Sequence, residues 1–407
     1  MTDLEGLRRR VRQGQVENRR RRRRFGWAVV TSLLVAGAIA FALVQGGAVT
    51  DLDGEGRSAT SPSVPETPRK ATVSTSGDIL IHSPVWYRAA SNGGGSYDFA
   101  PMFSAIEPFV RGVGLSVCQL ETPLTSGEPS GYPIFATPVE IADGIRKAGW
   151  DACSTASNHT LDRGEQGVAE TISALRGAGV RSTGSATRRR QAERPLVMNA
   201  GGIPVGLVAY TDFSNLGAPA EPSNLNLLPY DEPVGEKRKI VEQDVERALD
   251  AGAETVLVLI QWGTENSTTP NDSQLELARA ITSIPGVAAI AGQGPHVVQP
   301  IERINGKFVV FSAGNLLSNQ SAAAGLPAET QYGLIALFRF RSDEDGTRVK
   351  RLDYVPVWVR PDDYLIEPIG WGLRNDPANE SALRAAWEST VSIAGEGKLI
   401  RPIPKDL

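Results

Sequence analysis

An α/β domain, held outside a membrane by one N-terminal helix, is the architecture this sequence predicts. Three observations predict it. Six consecutive arginines, Arg19–Arg24, run straight into an uncharged apolar stretch from Phe25 to Val49. From Ala71 onward, short β-branched runs alternate with segments of helical period. The three histidines of the chain, His82, His159 and His296, each fall just after a predicted strand.

Length and charge justify the first element. About 20 apolar residues cross the hydrocarbon core as a helix, and residues 25–49 supply them. Arg8, Arg9, Arg10, Arg12 and the six-arginine run keep residues 1–24 cytoplasmic by the positive-inside rule. The stretch is long for a signal peptide and has no convincing A-x-A site before a cut at Ala48. An uncleaved signal anchor is therefore expected, with a single pass into the lipid bilayer of the cell membrane and an extracellular C-terminal domain. A buried core helix would place ten arginines beside a core. Residues 50–70, rich in Ser, Thr, Pro and Gly, read as a flexible stalk.

Charge bounds the partners. The formal net charge is −4; ten arginines against three carboxylates in residues 1–25 carry +7, which leaves −11 for the rest. An acidic outer domain lacks the basic footprint that nucleic acid needs. Two cysteines, Cys118 and Cys153, are too few for a disulfide scaffold. They read equally as a single bridge or as two buried thiols.

The domain elements follow in order. Strands are predicted at Ala71–Thr75, Gly114–Cys118, Asp151–Thr155, Val205–Tyr210, Glu254–Ile260, Val287–Ala291 and Lys307–Phe311. Helices are predicted between them at Phe99–Arg111, Glu140–Ala148, Gln166–Ala178, Glu236–Ala251 and Ser273–Ile284. This alternation argues for sheets covered by helices over residues 71–320. In residues 321–407, Tyr332–Arg341 and Val349–Val359 alternate like a hairpin around Asp343-Glu344-Asp345-Gly346, followed by a helix at Ser381–Ile393. That tail reads as an extension of the same domain.

In α/β sheets the ligand site lies beyond the carboxyl ends of the strands. There the chain places Asp78 and His82, Glu121, Asn158-His159 with Asp162, Gln261 with Glu265, and Gln293 with His296. Converging carboxylate, carboxamide and imidazole groups suit a divalent metal such as Mn, Zn, Fe or Mg. A metal pair there would activate a water for ester hydrolysis. Singly, each residue has a plainer reading: Asp78 as a turn cap, Glu121 in an ion pair, Asn158 and Asp162 as helix caps. Their conjunction favours one shared site. Arg188-Arg189-Arg190 reads as a solvated loop run, with an anion contact as the alternative.

These segments, in this order, resemble the CapA/PgsA family of capsule and poly-γ-glutamate synthesis proteins, within the calcineurin-like metallophosphatase superfamily. The matching residues are Gly77-Asp78 with His82, Leu120-Glu121-Thr122-Pro123, Ser157-Asn158-His159 with Asp162 and Gly164, Trp262-Gly263 with Glu265, Pro295-His296-Val297-Val298-Gln299-Pro300, and Ser312-Ala313-Gly314-Asn315. The resemblance implies a metallophosphatase-like sandwich of two mixed β-sheets flanked by helices. It implies one or two metal ions held by Asp78, Glu121, Asn158 and His296, with His82 a ligand or a neighbour. His159 would be the acid or base near the leaving group, with Asp162 beside it and Glu265 in support.

The sequence also departs from the family pattern. Gln261 stands where the family commonly has His before Trp-Gly. Gln293 and Gly294 stand where it commonly has a second His, and Gln119 replaces Asn. A glutamine carbonyl is a neutral ligand and a poor match for Zn. Two functions are therefore expected in competition. One is a membrane-anchored, metal-dependent hydrolase-like protein of envelope polymer synthesis or export. The other is a non-catalytic scaffold that binds the polymer or a membrane synthase subunit.

Overall fold

Polar strand ends separated by β-branched runs build two stacked mixed sheets in the computed structural model, which describes residues 67–403. The predicted segment 1–24, the predicted span 25–49 and most of the stalk lie outside the described residues. Among the described residues, no helix is long and apolar enough to cross a membrane.

The strands up to the middle of the chain are β1 (Arg69–Ile79), β2 (Leu115–Leu120), β3 (Leu124–Thr125), β4 (Thr137–Pro138), β5 (Ala152–Ser154), β6 (Arg181–Thr183), β7 (Leu196–Ala200) and β8 (Ile203–Thr211). They are followed by β9 (Thr255–Gln261), β10 (Val287–Gln293), β11 (Ile301–Ile304), β12 (Lys307–Val310), β13 (Asn315–Leu317), β14 (Tyr332–Asp343), β15 (Gly346–Val359), β16 (Ile366–Pro368) and β17 (Ile400–Pro402). The longer helices are α1 (Ser83–Gly93), α2 (Ile141–Ala148), α3 (Gly164–Ala178), α4 (Val234–Asp250), α5 (Asp272–Thr282), α6 (Ile369–Asn375) and α7 (Glu380–Ala394).

The first sheet has the order β16-β15-β14-β1-β2-β5-β6, with β13 also on β1 and β17 on β15. Its β1, β2, β5 and β6 run parallel, while β14 lies antiparallel on β1. The second sheet has the order β11-β12-β10-β9-β8-β7, parallel at its centre and antiparallel at both edges. Side chains alternate across a strand, and β9 shows the result. Leu257 and Leu259 join Val73, Val117 and Ala152 in the core shared by the sheets. Val256, Val258 and Ile260 face the other way, onto Val241 and Val245 of α4 and Leu277 and Ile281 of α5. Strands buried on both faces read as continuous apolar runs. A smaller cluster seats Ile369 of α6 and Leu383 of α7 on Trp358.

Several elements differ from expectation. The predicted helix Phe99–Arg111 is broken into Ala100–Phe103, a 3-10 turn at Ser104–Ile106, and Glu107–Arg111. Pro101 and Pro108 lack the N–H that a continuous helix would need. Strand β1 starts at Arg69, inside the predicted stalk, because Arg69 is clamped by Glu254 at 2.7 Å and by Ser342. The tail hairpin β14–β15 sits directly beside β1. Cys118 and Cys153 face each other in register on β2 and β5 and form a disulfide. By loop-closure entropy, a bridge spanning a separation of 35 residues stabilises the fold by about 3–4 kcal/mol. Pro68–Asn92 and the chain from Tyr97 on form one unit. Gly93–Ser96 forms its own tight turn, closed by the Ser96 N–H on the Gly93 carbonyl at 3.4 Å.

Candidate metal centre

The carboxyl ends of parallel strands from both sheets converge on one buried cluster. Asp78 is the penultimate residue of β1, and Glu121 follows β2 directly. His296 lies in the loop after β10, with its backbone at φ 61°. A bulky residue held in the left-handed region is uncommon and costs of order 1 kcal/mol or more, and such residues gather at functional sites. Tight backbone packing brings the strand ends together. The Asp78 N–H donates to the Gly314 carbonyl at 2.9 Å, and a Cβ at Gly77 would lie 2.1 Å from that same oxygen. Only glycine at 77 permits this approach. One residue on, Asn315 Oδ1 lies 3.2 Å from His296 Nδ1.

Asp78, Glu121 and His296 each offer a ligand atom, and the three atoms lie within 4.8 Å of one another. His296 Nδ1 is 3.3 Å from Asp78 Oδ2, and its Nε2 is 3.8 Å from Glu121 Oε1. All three residues are buried, and among the described residues Asp78 Oδ1 and Glu121 Oε2 have no hydrogen-bond partner. An orphaned buried carboxylate oxygen is costly. Two of them beside an imidazole fit the donor set of one divalent cation.

Burial opposes the His296 cation, but the Glu121 charge and the Asp78 contact outweigh it and push the imidazole up to about 10. Burial pushes Glu121 up to about 8, helped by Asp78 and opposed by His296. Metal ligands must be deprotonated, so a cation entering here displaces protons.

Asn158 and Gln261 lie beside this triad. Gln261, the last residue of β9, directs its Nε2 at Asn158 Oδ1 (2.6 Å) and at Glu121 Oε1 (3.3 Å). Its Oε1 accepts from the Asn158 N–H and from Thr211 Oγ1, both at 2.7 Å. These partners fix the amide orientation, since the flipped form would set oxygen against two acceptors. An N–H₂ group therefore occupies the gap between Glu121 Oε1 and Asn158 Oδ1. Among the described residues, Asp78, Glu121 and His296 are the grouped ligands, enough for one cation.

On the other side stands a histidine–carboxylate pair. His159 Nδ1 is 2.8 Å from Asp162 Oδ2, and the Phe135 N–H donates to that same oxygen at 2.8 Å. With Nδ1 donating to Asp162, Nε2 carries the lone pair. Asn215 Nδ2 lies beside both ring nitrogens, 3.2 Å from Nδ1 and 3.4 Å from Nε2, and Asn215 Oδ1 accepts from Asn158 Nδ2 at 3.4 Å.

The remaining predicted residues are less central. His82 is half-buried, its Nδ1 lies 3.2 Å from the Leu80 carbonyl, and burial holds its ring down to about 4. It stands edge-on to Phe135, as His159 does. It is not among the three grouped ligands. Gln293 is buried, with Nε2 on the Ser76 carbonyl at 3.3 Å and, among the described residues, no partner for Oε1. Glu265 is exposed; its charge is felt at Glu121 and His296 without a hydrogen bond or ion pair among the described residues. Asn215, Phe135 and the role of Asn315 were not anticipated. Asn215 follows β8, so the strand-end rule applied to that strand would have found it.

Comparisons with known proteins place the sequence among bacterial capsule synthesis proteins. The sequence profile of the bacterial capsule synthesis protein family PGA_cap matches residues 72–320. The PGA biosynthesis protein CapA of Bacillus subtilis (strain 168) is 26% identical over 272 residues, 63% of this chain and 67% of that protein. The capsule biosynthesis protein CapA of Bacillus anthracis is 24% identical over 303 residues, 72% of this chain and 68% of that protein. The calcineurin-like phosphoesterase YfkN from Bacillus subtilis aligns with a TM-score of 0.42 at 12% identity, covering 80% of this chain and 99% of that one. That likeness is too loose to carry an argument.

Proposed function

Because the chain belongs to the bacterial capsule synthesis protein family PGA_cap, we propose that it is an accessory protein of poly-γ-glutamate or capsule polymer synthesis. It acts at the outer face of the cell membrane, anchored by Phe25–Val49 and working beside membrane synthase subunits. The names of its two CapA relatives support the polymer. The Cys118–Cys153 disulfide suits an oxidising compartment.

The observation that carries the chemistry is the triad Asp78, Glu121 and His296 with its two orphaned carboxylate oxygens. These residues would hold a single divalent cation. Such a cation supplies Lewis-acid polarisation of an ester or amide oxygen. Asp162 orients His159 through Nδ1, which leaves Nε2 to exchange a proton with a leaving group. Asn215 Nδ2 packs beside the ring, within 3.4 Å of both nitrogens. This is a metallophosphatase-type site reduced to one metal position.

The test uses the full chain in detergent, without a histidine tag, loaded with Mn, Zn, Fe or Mg. About one ion per chain is expected, lost in Asp78→Asn and retained in His159→Gln. The His159→Gln variant should lose turnover of phosphodiester or polyglutamate substrates. No ion bound under any loading would overturn the cation centre. A second reading is favoured by Gln261, whose amide fills one metal position: the protein is a polymer- or partner-binding scaffold without turnover. Polymer yield in cells unchanged by His159→Gln would select that reading.

A further inference from the structure

A groove away from the cation centre is lined by arginine as its only charged residue type. Arg176, from the last turn of α3, meets Arg188, Arg190 and Arg194, from the segment after β6, around an open concavity of about 650 Å³. Thr187 and Gln191 complete its wall. All four arginines are exposed, and among the described residues none of their guanidinium groups carries an ion pair or a hydrogen bond. Arg189 behaves differently: it is paired with Glu193 at 2.7 Å and is absent from the groove lining. The Thr187 N–H and hydroxyl both donate to Gln191 Oε1, at 3.2 and 3.0 Å, which closes the turn that presents Arg188 and Arg190.

Four unpaired cations from two separate segments repel one another across one concavity. General basicity does not explain them, since the chain beyond residue 25 carries −11. Ser185, two residues before Thr187, lies 2.7 Å from Thr155 through the paired hydroxyls, and a small cavity is lined by Glu121, Thr155 and Ser185 together.

We propose that this groove binds a run of carboxylates on a polymer, the glutamate polymer of the reading above, on which this inference rests. A guanidinium takes a carboxylate through two parallel hydrogen bonds. Several weak exposed contacts add up only when the carboxylates share one chain, so the groove favours polymer over monomer. Exposed pairs are weak one by one, which lets a growing chain move through the groove.

The probe is a fluorescent poly-γ-glutamate oligomer titrated against the full chain in detergent. Arg188→Ser with Arg190→Ser should weaken binding roughly tenfold and flatten its salt dependence. Cation content should be retained, which shows the fold intact. A charge-matched pair, Lys147→Ser with Lys350→Ser, should stay within about twofold of wild type, because both lysines are exposed and lie outside the groove. Monomeric glutamate at equal carboxylate concentration should not compete. Unchanged binding in the arginine variant, or an equal loss in the lysine variant, would overturn the groove and leave the family reading standing. No polymer binding by wild type would sink both. Tighter binding of a DNA oligonucleotide of equal charge would overturn the assignment in favour of nucleic acid.

Discussion

At residue 261 an amide stands between two acceptors, Glu121 Oε1 and Asn158 Oδ1, that would otherwise face each other across a gap. The N–H₂ group neutralises neither, but it satisfies both lone pairs at no cost in charge. A histidine at this position would remove that donor and return an imidazole nitrogen to the site. Gln261→His is therefore expected to raise bound Mn from about one to about two ions per chain, measured by elemental analysis after removal of excess metal. Content that stays at one would show that Gln261 does not limit the site. The sequence made this position legible as a departure, since Gln precedes Trp262-Gly263. It did not say what the amide does instead, because that depends on Asn158, Glu121 and Thr211 meeting from three different strand ends. Asp78, Glu121 and His296 were legible for the opposite reason: each sits in a short polar segment directly after an apolar run. Asn215 was missed because its loop after β8 carries no histidine or adjacent acid–amide motif to draw attention.

Among the elements, the central strands were read easily and the short ones were not. Strands β9 and β10 are apolar through Val256–Ile260 and Val287–Ala291 and buried along their whole length. Strands β13, β16 and β17 have three residues each and owe their existence to the neighbours they pair with. A period cannot be measured over three residues. Strand β16 also carries a buried acid, Glu367, just before α6. Burial and the nearby Asp376 and Asp363 charges push Glu367 up to about 7, against the pull of Arg360. An acid whose folded pKa is raised favours folding most when it is protonated. Its stabilising share is complete below the unfolded value near 4.5 and is lost as pH rises toward 7. Glu367→Gln removes that titration. The variant should melt close to wild type at pH 4.5 and higher than wild type at pH 8, by roughly 2–5 °C. A difference between the two proteins that stays constant with pH would refute the assignment.

At the scale of the whole molecule, charge is divided along the chain, +7 over residues 1–25 and −11 beyond them. The apolar stretch Phe25–Val49 separates the two parts. A cation-rich segment resists crossing a membrane, while an acidic domain without flanking arginines does not. In the proposed anchoring the orientation would be set by the N-terminal arginines and should respond to them. In intact cells, a protease added outside should digest the domain from residue 67 onward and leave an epitope placed before Arg8 protected. Replacing Arg8, Arg9, Arg10, Arg12 and Arg19–Arg24 by serine should weaken that preference and leave a fraction of the chains inverted. An inverted domain would stay in a reducing compartment, so its Cys118 and Cys153 would react with a maleimide after denaturation, whereas the outward form keeps them bonded. Thiol labelling thus reads orientation independently of proteolysis. A wild-type domain that is protected from external protease and carries two free thiols would overturn the outward placement, and with it the proposed contact with an external polymer.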